Sequence, residues 1–270
     1  MERPAWAPRS IDISVPSVSR IYDYYLGGSH NFEVDREAAR KAMEFMPGLP
    51  KIMQANRAFM RRAVRHAAEA GITQFLDIGS GIPTHGAVHE VAQAVHPDAH
   101  VVYVDHDPVA VAHSRAVLAG NERTDVVAAD LRKPQDILGS PEVGRLIDLN
   151  RPVALLLVAI LHFVEDTDDP YRAVAGLRDA LAPGSMLMLT HASYEGIPVP
   201  AERAEGAVDV YRDIRNPLIM RSRDEIARFF EGYDMVEPGL VAMPHWRPDT
   251  APEDEDPYAF SGFAGVGRTA

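Results

Sequence analysis

The stretch Gln74-Phe75-Leu76-Asp77-Ile78-Gly79-Ser80-Gly81-Ile82-Pro83-Thr84 constrains the fold more than any other part of the chain. Phe75, Leu76 and Ile78 read as a short buried strand. Gly79-Ser80-Gly81 reads as a turn in which two residues lack a Cβ, so backbone can pass close to a ligand. Thr84 is placed to cap a helix over residues 85–96. Strand, glycine turn and helix present nucleotide-like ligands at the carboxyl ends of an α/β sheet. The dinucleotide fingerprint G-x-G-x-x-G is not met, because its third glycine falls on Thr84 and Pro83 stiffens the loop. That departure points to a ligand without a pyrophosphate.

The 270 residues suffice for one large α/β domain with additions. There is no cysteine, which excludes thiol catalysis, disulfides and Cys-ligated zinc, and fits a cytoplasmic protein. A net charge of −12 makes nucleic acid and anionic membrane poor partners. Residues 1–16 contain Pro4, Pro8 and Pro16 and no apolar run, so they read as an extended arm and not a signal peptide. No stretch approaches the roughly 18 apolar residues of a membrane span.

Ahead of the glycine turn the pattern is helical. Val18, Ile21, Tyr22, Tyr25 and Leu26 share one face of a helix that Gly27-Gly28 ends. Asp35 is placed to cap a second helix running to Phe45, and Pro50 opens a third that reaches Gly71. Arg57, Arg61, Arg62 and Arg65 lie beside or opposite the apolar stripe of that third helix and read as a solvated face. After residue 72, strands alternate with helices: strands over 74–78, 99–105, 125–129, 152–160 and 185–191, helices over 108–119 and 169–181. This order implies a parallel sheet with right-handed crossovers. Residues 192–222 interrupt it as an insertion of the kind that covers an active site. A helix over 224–230 and strands over 236–243 and 260–268 complete the chain. The organisation is then an arm and helical lid over 1–71 and a core over 72–270.

Asp105 ends the second strand, 26 residues after Gly79, where a carboxylate can accept two ribose hydroxyl hydrogen bonds. Asp107 is the alternative, or it caps the next helix. Asp130 ends the third strand, where it either accepts from an adenine amino group or turns the chain at Leu131-Arg132-Lys133. His85 and His89 stand four apart beside Glu90, with His96 beyond, but His-Glu-x-x-His is absent and these read as surface histidines with no metal.

Leu76-Asp77-Ile78-Gly79-Ser80-Gly81, Val104-Asp105, Ala129-Asp130-Leu131 and Ala159-Ile160-Leu161-His162-Phe163 together resemble the successive motifs of class I S-adenosylmethionine-dependent methyltransferases. The segment 16–28, with Asn31-Phe32 and Asn56-Arg57-Ala58-Phe59, resembles a bacterial family of methyltransferase-like proteins with no assigned substrate. The resemblance implies a Rossmann-like, doubly wound seven-stranded sheet with the last strand antiparallel. It implies S-adenosyl-L-methionine as cofactor, held by Asp77, Gly79, Ser80, Gly81, Asp105, His106, Asp107, Asp130, Leu131 and Ala159. Tyr22, Gly28, Asn31 and Phe32 are expected in a lid or substrate wall. Base-directed N-methyltransferases carry Asn/Asp-Pro-Pro-aromatic where this chain has Ile160-Leu161-His162-Phe163. The acceptor is therefore expected to be a small molecule, methylated on O or N. His162 is a candidate general base, with His191 and Tyr194 beside it. Two alternatives stand: a protein that binds the cofactor without turnover, and an NAD-dependent oxidoreductase. Against the second, the fingerprint spacing to the acidic residue is about 20. The acceptor itself and the oligomeric state have no signature.

Overall fold

The computed structural model describes residues 12–83, 86–195, 197, 199–213, 217–250 and 262–270. Its centre is one sheet of strands β1 (Gln74–Ile78), β2 (His100–Asp105), β3 (Thr124–Ala128), β4 (Ala154–Val158), β5 (Met186–Ala192), β6 (Asp234–Met235), β7 (Val241–Ala242) and β8 (Gly262–Arg268). The spatial order is β3-β2-β1-β4-β5-β8-β6, with β7 also paired to β8. β1 to β5 run parallel, and β8 is antiparallel to β5 in full register from Met186 opposite Arg268 to Ala192 opposite Gly262.

Residue alternation assigns the two faces. Phe75, Val101, Tyr103, Leu156 and Met188 enter one core, and Leu76, Val102, Val104, Leu155 and Leu187 enter the other. The continuous run Ala-Leu-Leu-Leu-Val of β4 follows from burial on both faces. The first core is covered by α1 (Val18–Tyr25), α2 (Glu33–Phe45), α3 (Leu49–Glu69), α4 (Val88–Val95) and α5 (Pro108–Val117). The second lies under α6 (Pro134–Leu138), α7 (Pro141–Leu146) and α8 (Pro170–Arg178). α9 (Ala201–Asp213) joins the first core through Ala207, Val210 and Tyr211, and α10 (Arg223–Ala227) joins the second through Ile226. β1 has β2 on one side and β4 on the other, so the order of winding reverses between β1 and β4. A crevice opens there at the carboxyl ends, where such sheets bind ligands.

Several expectations change. Of the strand expected over 236–243 only β7 lies within that range, and β6 precedes it. Pro238 has no N–H to give a ladder, and Gly239 turns the chain at φ +86°. The sheet therefore has eight strands where seven were expected. α6 and α7 went unread; each begins with a proline, and Ser140 caps α7 by accepting from Val143 N–H. The expected start of α4 at His85 and its cap Thr84 lie outside the described residues. α4 begins at Val88, and the Glu90 carboxylate accepts from the N–H groups of Gly86 and Ala87. α2 begins two residues before Asp35, whose carboxylate reaches back to Phe32 N–H at 2.8 Å.

Asp35 has a second task. It forms a fully buried ion pair with Arg20 at 2.7 Å and accepts from Ser17 N–H at 2.9 Å. A buried pair is held in place because breaking it strands a charge in the core. The pair fixes α1 against α2, and Ser17 Oγ donates to Asp107, the cap of α5 just beyond β2. The N-terminal helices are thereby tied down across the mouth of the crevice.

Candidate functional site

Gly79 and Gly81 adopt φ of +75° and +61°, as a strand-to-helix turn with close backbone passage requires. A Cβ on Gly79 would lie 2.5 Å from Ile160, so only glycine leaves this wall open. The N–H groups of Gly79 and Ser80 both bond Val104 O, at 2.8 and 3.2 Å, which pins the turn to β2. Across the crevice Ala159, the residue after β4, also has positive φ, +57°. That conformation is costly for alanine and persists because neighbours hold it. Ala159 N–H donates to Thr190 Oγ1 (2.8 Å), and Thr190 donates to Asn56 Oδ1 (2.6 Å). Asn56 Nδ2 donates to the Tyr22 hydroxyl (2.8 Å). One chain of hydrogen bonds thus links β4, β5, α3 and the N-terminal helix α1. Thr190→Val keeps the shape but leaves Ala159 N–H and Asn56 Oδ1 unpaired. It is expected to destabilise the protein by about 2 kcal/mol, read by chemical denaturation, and an unchanged midpoint would show that the chain does not carry the turn.

The crevice has two lobes that share Gly79, Asp105, His106, Ile160 and Phe163. The outer lobe is a polar cavity of about 260 Å³ bordered by Ala129, Asp130, Leu131 and Arg132. The inner lobe, about 180 Å³, runs under α1, α3 and α9 to the ends of β4 and β5.

Each expected site residue has a definite place. Asp105 is 5% exposed, and its carboxylate accepts from Gly81 N–H (2.7 Å) and Asp107 N–H (2.8 Å). Burial raises its carboxyl, and those two amides pull it back. His106 is exposed beside it. Asp107 caps α5 by accepting from Val109 N–H and also receives Ser17. Asp130 is held by Arg132 through both backbone and side chain, the turn alternative, and still borders the outer lobe with Leu131. Arg132 lowers its carboxyl. Asp77 lines the inner lobe with Ser80 and Gly81, and burial pushes its carboxyl up to about 7 against the pull of Arg57.

Corrections concern the lid and the histidines. Tyr22 lines the inner lobe, but Asn31 and Phe32 do not. Asn31 is turned to Asp23 and Arg36, and Phe32 lies beneath the Arg20 guanidinium. Gly28 is needed because a Cβ would strike the Asp23 carboxylate at 2.0 Å. These residues shape the 27–32 turn and line neither lobe. Tyr194 is 54% exposed and does not line either lobe. His191 is buried and committed. Its Nδ1 donates to Ala192 O (2.7 Å), its Nε2 accepts from Arg221 (2.8 Å), and burial lowers its pKa to about 4. His162 Nδ1 accepts from Ala192 N–H (3.3 Å), which places the ring proton on Nε2. Burial, with His191 and Arg221 nearby, holds it well below the ordinary range and therefore neutral. Neither histidine has a free lone pair suited to a base.

Sequence reading missed Arg221, and it quoted Asn56 and Arg57 in a family motif without giving them a place in the site. Arg57, taken as solvated, lines the inner lobe with its guanidinium over the Tyr22 ring and its Nε buried without a partner. Arg62 is not solvated either; it donates to Met243 O and Trp246 O. Arg221, 2% exposed, donates to Leu161 O, Val164 O, Asp166 and His191, and so fixes the loop after β4.

A family model described as S-adenosyl methyltransferase matches residues 4–270. The chain is 43% identical to a candidate methyltransferase from Thermobifida fusca YX, over 98% of this chain and 99% of that one, with a TM-score of 0.91. It is 40% identical to a DUF574 family protein from Streptomyces avermitilis MA-4680, over 96% and 99%, also with a TM-score of 0.91. An O-methyltransferase family protein from Burkholderia thailandensis shares the fold at 12% identity and a TM-score of 0.51, over 92% and 64%. No curated protein matches. The family match removes the NAD-dependent oxidoreductase alternative. The residues fit the cofactor: an open cradle at Gly79 that a Cβ would fill, an unpartnered arginine nitrogen lining the same lobe as a buried carboxylate, and a second acid at the next strand end. The chain belongs to the S-adenosyl methyltransferase family, and its cofactor is S-adenosyl-L-methionine.

Proposed function

We propose that this protein methylates an oxygen or nitrogen of a small molecule, in the cytoplasm. The observation that carries the reading is the roof over the inner lobe. α1, α3 and α9 stand over the ends of β4 and β5 and leave a pocket of about 180 Å³, small for a polymer. The charge of −12 argues against nucleic acid as acceptor. Among the described residues, no helix is long and apolar enough to cross a membrane.

In this reading Asp77 takes the ammonium of the cofactor's amino-acid end and Arg57 its carboxylate. Asp105 takes the ribose hydroxyls, and the outer lobe with Asp130 and Leu131 takes the adenine. When bound, S-adenosyl-L-methionine would supply a methyl on a cationic sulfur; the acceptor's lone pair would take that carbon, sulfur would keep the electrons of the broken bond, and the acceptor's proton would pass to bulk solvent as the product leaves. The chain's own residues position the partners and exclude water, which suffices for an already activated methyl. Tyr22, Asn56 and Thr190 hold the lid and Ala159 in one geometry around that point.

The test has two stages. S-adenosylhomocysteine should raise the melting temperature and NADH should not. The protein with methyl-labelled S-adenosyl-L-methionine should then label a small-molecule extract and leave added tRNA, DNA and protein unlabelled. Label appearing only in a polymer would overturn the small-molecule reading.

A further inference from the structure

Most polar groups of the inner lobe away from the glycine turn already have partners within the protein. Asn56 bonds Tyr22 and Thr190, and Thr190 bonds Ala159. His191 is held by Arg221 and Ala192, and the hydroxyls of Tyr25 and Tyr211 face each other at 3.4 Å. The charged lining residues lie to one side. Arg57, Asp77 and Asp105 stand at the glycine-turn end, and Asp23 accepts from His30 N–H and Asn31 within the 28–31 turn. The rest of the wall is apolar and soft. Met46, Met53, Met60, Met220 and Met243 line it with Phe163, among the described residues. Methionine is unbranched and polarizable, and it moulds to varied apolar shapes and to ring edges.

Arg57 Nε and Ser80 Oγ are unpartnered at the glycine-turn end, and Asp23 Oδ1 is unpartnered against Gly28; beside the apolar wall the open polar atom is on His162. With its Nδ1 occupied by Ala192 N–H, His162 carries its proton on Nε2, and that N–H has no protein partner among the described residues. His162 lines the inner lobe between Phe163 and His191, whose rings lie 4.4 and 5.5 Å away. Its remaining nitrogen is a donor, not a base.

From this we infer that the methyl acceptor is an uncharged, mainly apolar, ring-bearing molecule, with one oxygen that accepts a hydrogen bond from His162 Nε2–H. The inference rests on the methyl-transfer reading and adds the acceptor's class to it. A charged acceptor would leave water for a methionine-lined wall with no counter-ion, and such transfers are strongly unfavourable. A neutral acceptor meets no such cost. Its oxygen satisfies the donor left open beside the apolar wall, so His162 orients the molecule and does not deprotonate it.

Four probes on one ring system test this: 2-naphthol, 2-naphthoate, 2-naphthylmethylammonium and naphthalene. Each is titrated calorimetrically into protein saturated with S-adenosylhomocysteine. The wild type should bind 2-naphthol about tenfold or more tighter than either ion. His162→Phe, first shown to be folded by its own S-adenosylhomocysteine titration, should lose about fivefold for 2-naphthol and nothing for naphthalene. His162→Gln, which keeps an N–H donor, should recover part of the loss. Tighter binding of either ion, equal binding of all three oxygen- or nitrogen-bearing probes, no binding of 2-naphthol, or an unchanged 2-naphthol affinity in His162→Phe would each overturn the inference. Wild-type protein that fails to bind S-adenosylhomocysteine would instead overturn the methyl-transfer reading beneath it, so the two failures are separable.

Discussion

Asp105→Ala is expected to lower the affinity for S-adenosylhomocysteine by about ten- to a hundredfold, the equivalent of 1.5–3 kcal/mol for hydrogen bonds to a charged group. The carboxylate already accepts from Gly81 and Asp107 amides, one to each oxygen. An ionised carboxylate offers about four lone-pair sites, so two remain for a ribose diol. Alanine removes all of them. It also leaves the Gly81 and Asp107 N–H groups without their acceptor at a nearly buried position, at about 1–3 kcal/mol each. Apo stability should therefore fall together with affinity. Asp105→Asn keeps one acceptor oxygen and should lose less of both. Asp107→Ala removes a helix cap at about 1 kcal/mol and the tie to Ser17, and should act on stability more than on affinity. Calorimetry and denaturation of the three variants decide the matter. If Asp105→Ala binds like wild type while Asp107→Ala does not, the ribose belongs to the other carboxylate.

What could be read from the residues was whatever is local. Gly79, Gly81 and Asp105 announce themselves because a strand, a turn and a strand end are each written within a few positions. Asp107 was legible as a cap for the same reason. Arg57 was not. On α3 alone it sits beside the apolar stripe, as a solvated arginine would. Only the arrival of Tyr22 from α1 and Asp77 from β1 makes it a wall of the cavity. Arg221 is more distant still, since its partners Leu161, Val164 and His191 lie 30 to 60 residues earlier. Asn31 and Phe32 misled in the opposite direction. A polar and an aromatic residue after a glycine pair suit a pocket wall, but the turn itself required them, one to satisfy Asp23 and the other to pack under Arg20. His162 and His191 were recognised as residues of the site, and their tautomers depend on Ala192 and Arg221, which no local pattern reveals. The strand over 236–243 was read through Pro238 and Gly239, two breakers that local chemistry did offer as warning.

Asp77 makes the stability of the ligand-free protein fall as pH rises, contrary to the usual behaviour of a carboxylate. Burial holds its carboxyl at about 7 in the folded chain, against an ordinary value of 3.8. Unfolded chains therefore release this proton near pH 4, and folded chains keep it to near pH 7. Between those values the folded state binds more protons, so stability declines across the window and levels off above it. The decline amounts to about 4 kcal/mol, from roughly three pKa units at 1.36 kcal/mol each. Asp77→Asn has no such proton, so its denaturation free energy should lack this component and exceed that of wild type at pH 8. The ligand reverses the logic. An ammonium placed against Asp77 favours the carboxylate, so binding expels the proton near pH 7. The calorimetric heat of S-adenosylhomocysteine binding should then depend on the ionisation enthalpy of the buffer, and affinity should rise with pH through this range. Asp77→Asn should abolish the buffer dependence and weaken binding about tenfold, since a charged hydrogen bond becomes a neutral one. Wild type and Asp77→Asn with parallel stability profiles from pH 5 to pH 8 would show that this carboxylate does not carry the proton. Buffer-independent heats in wild type would show that the ammonium binds elsewhere.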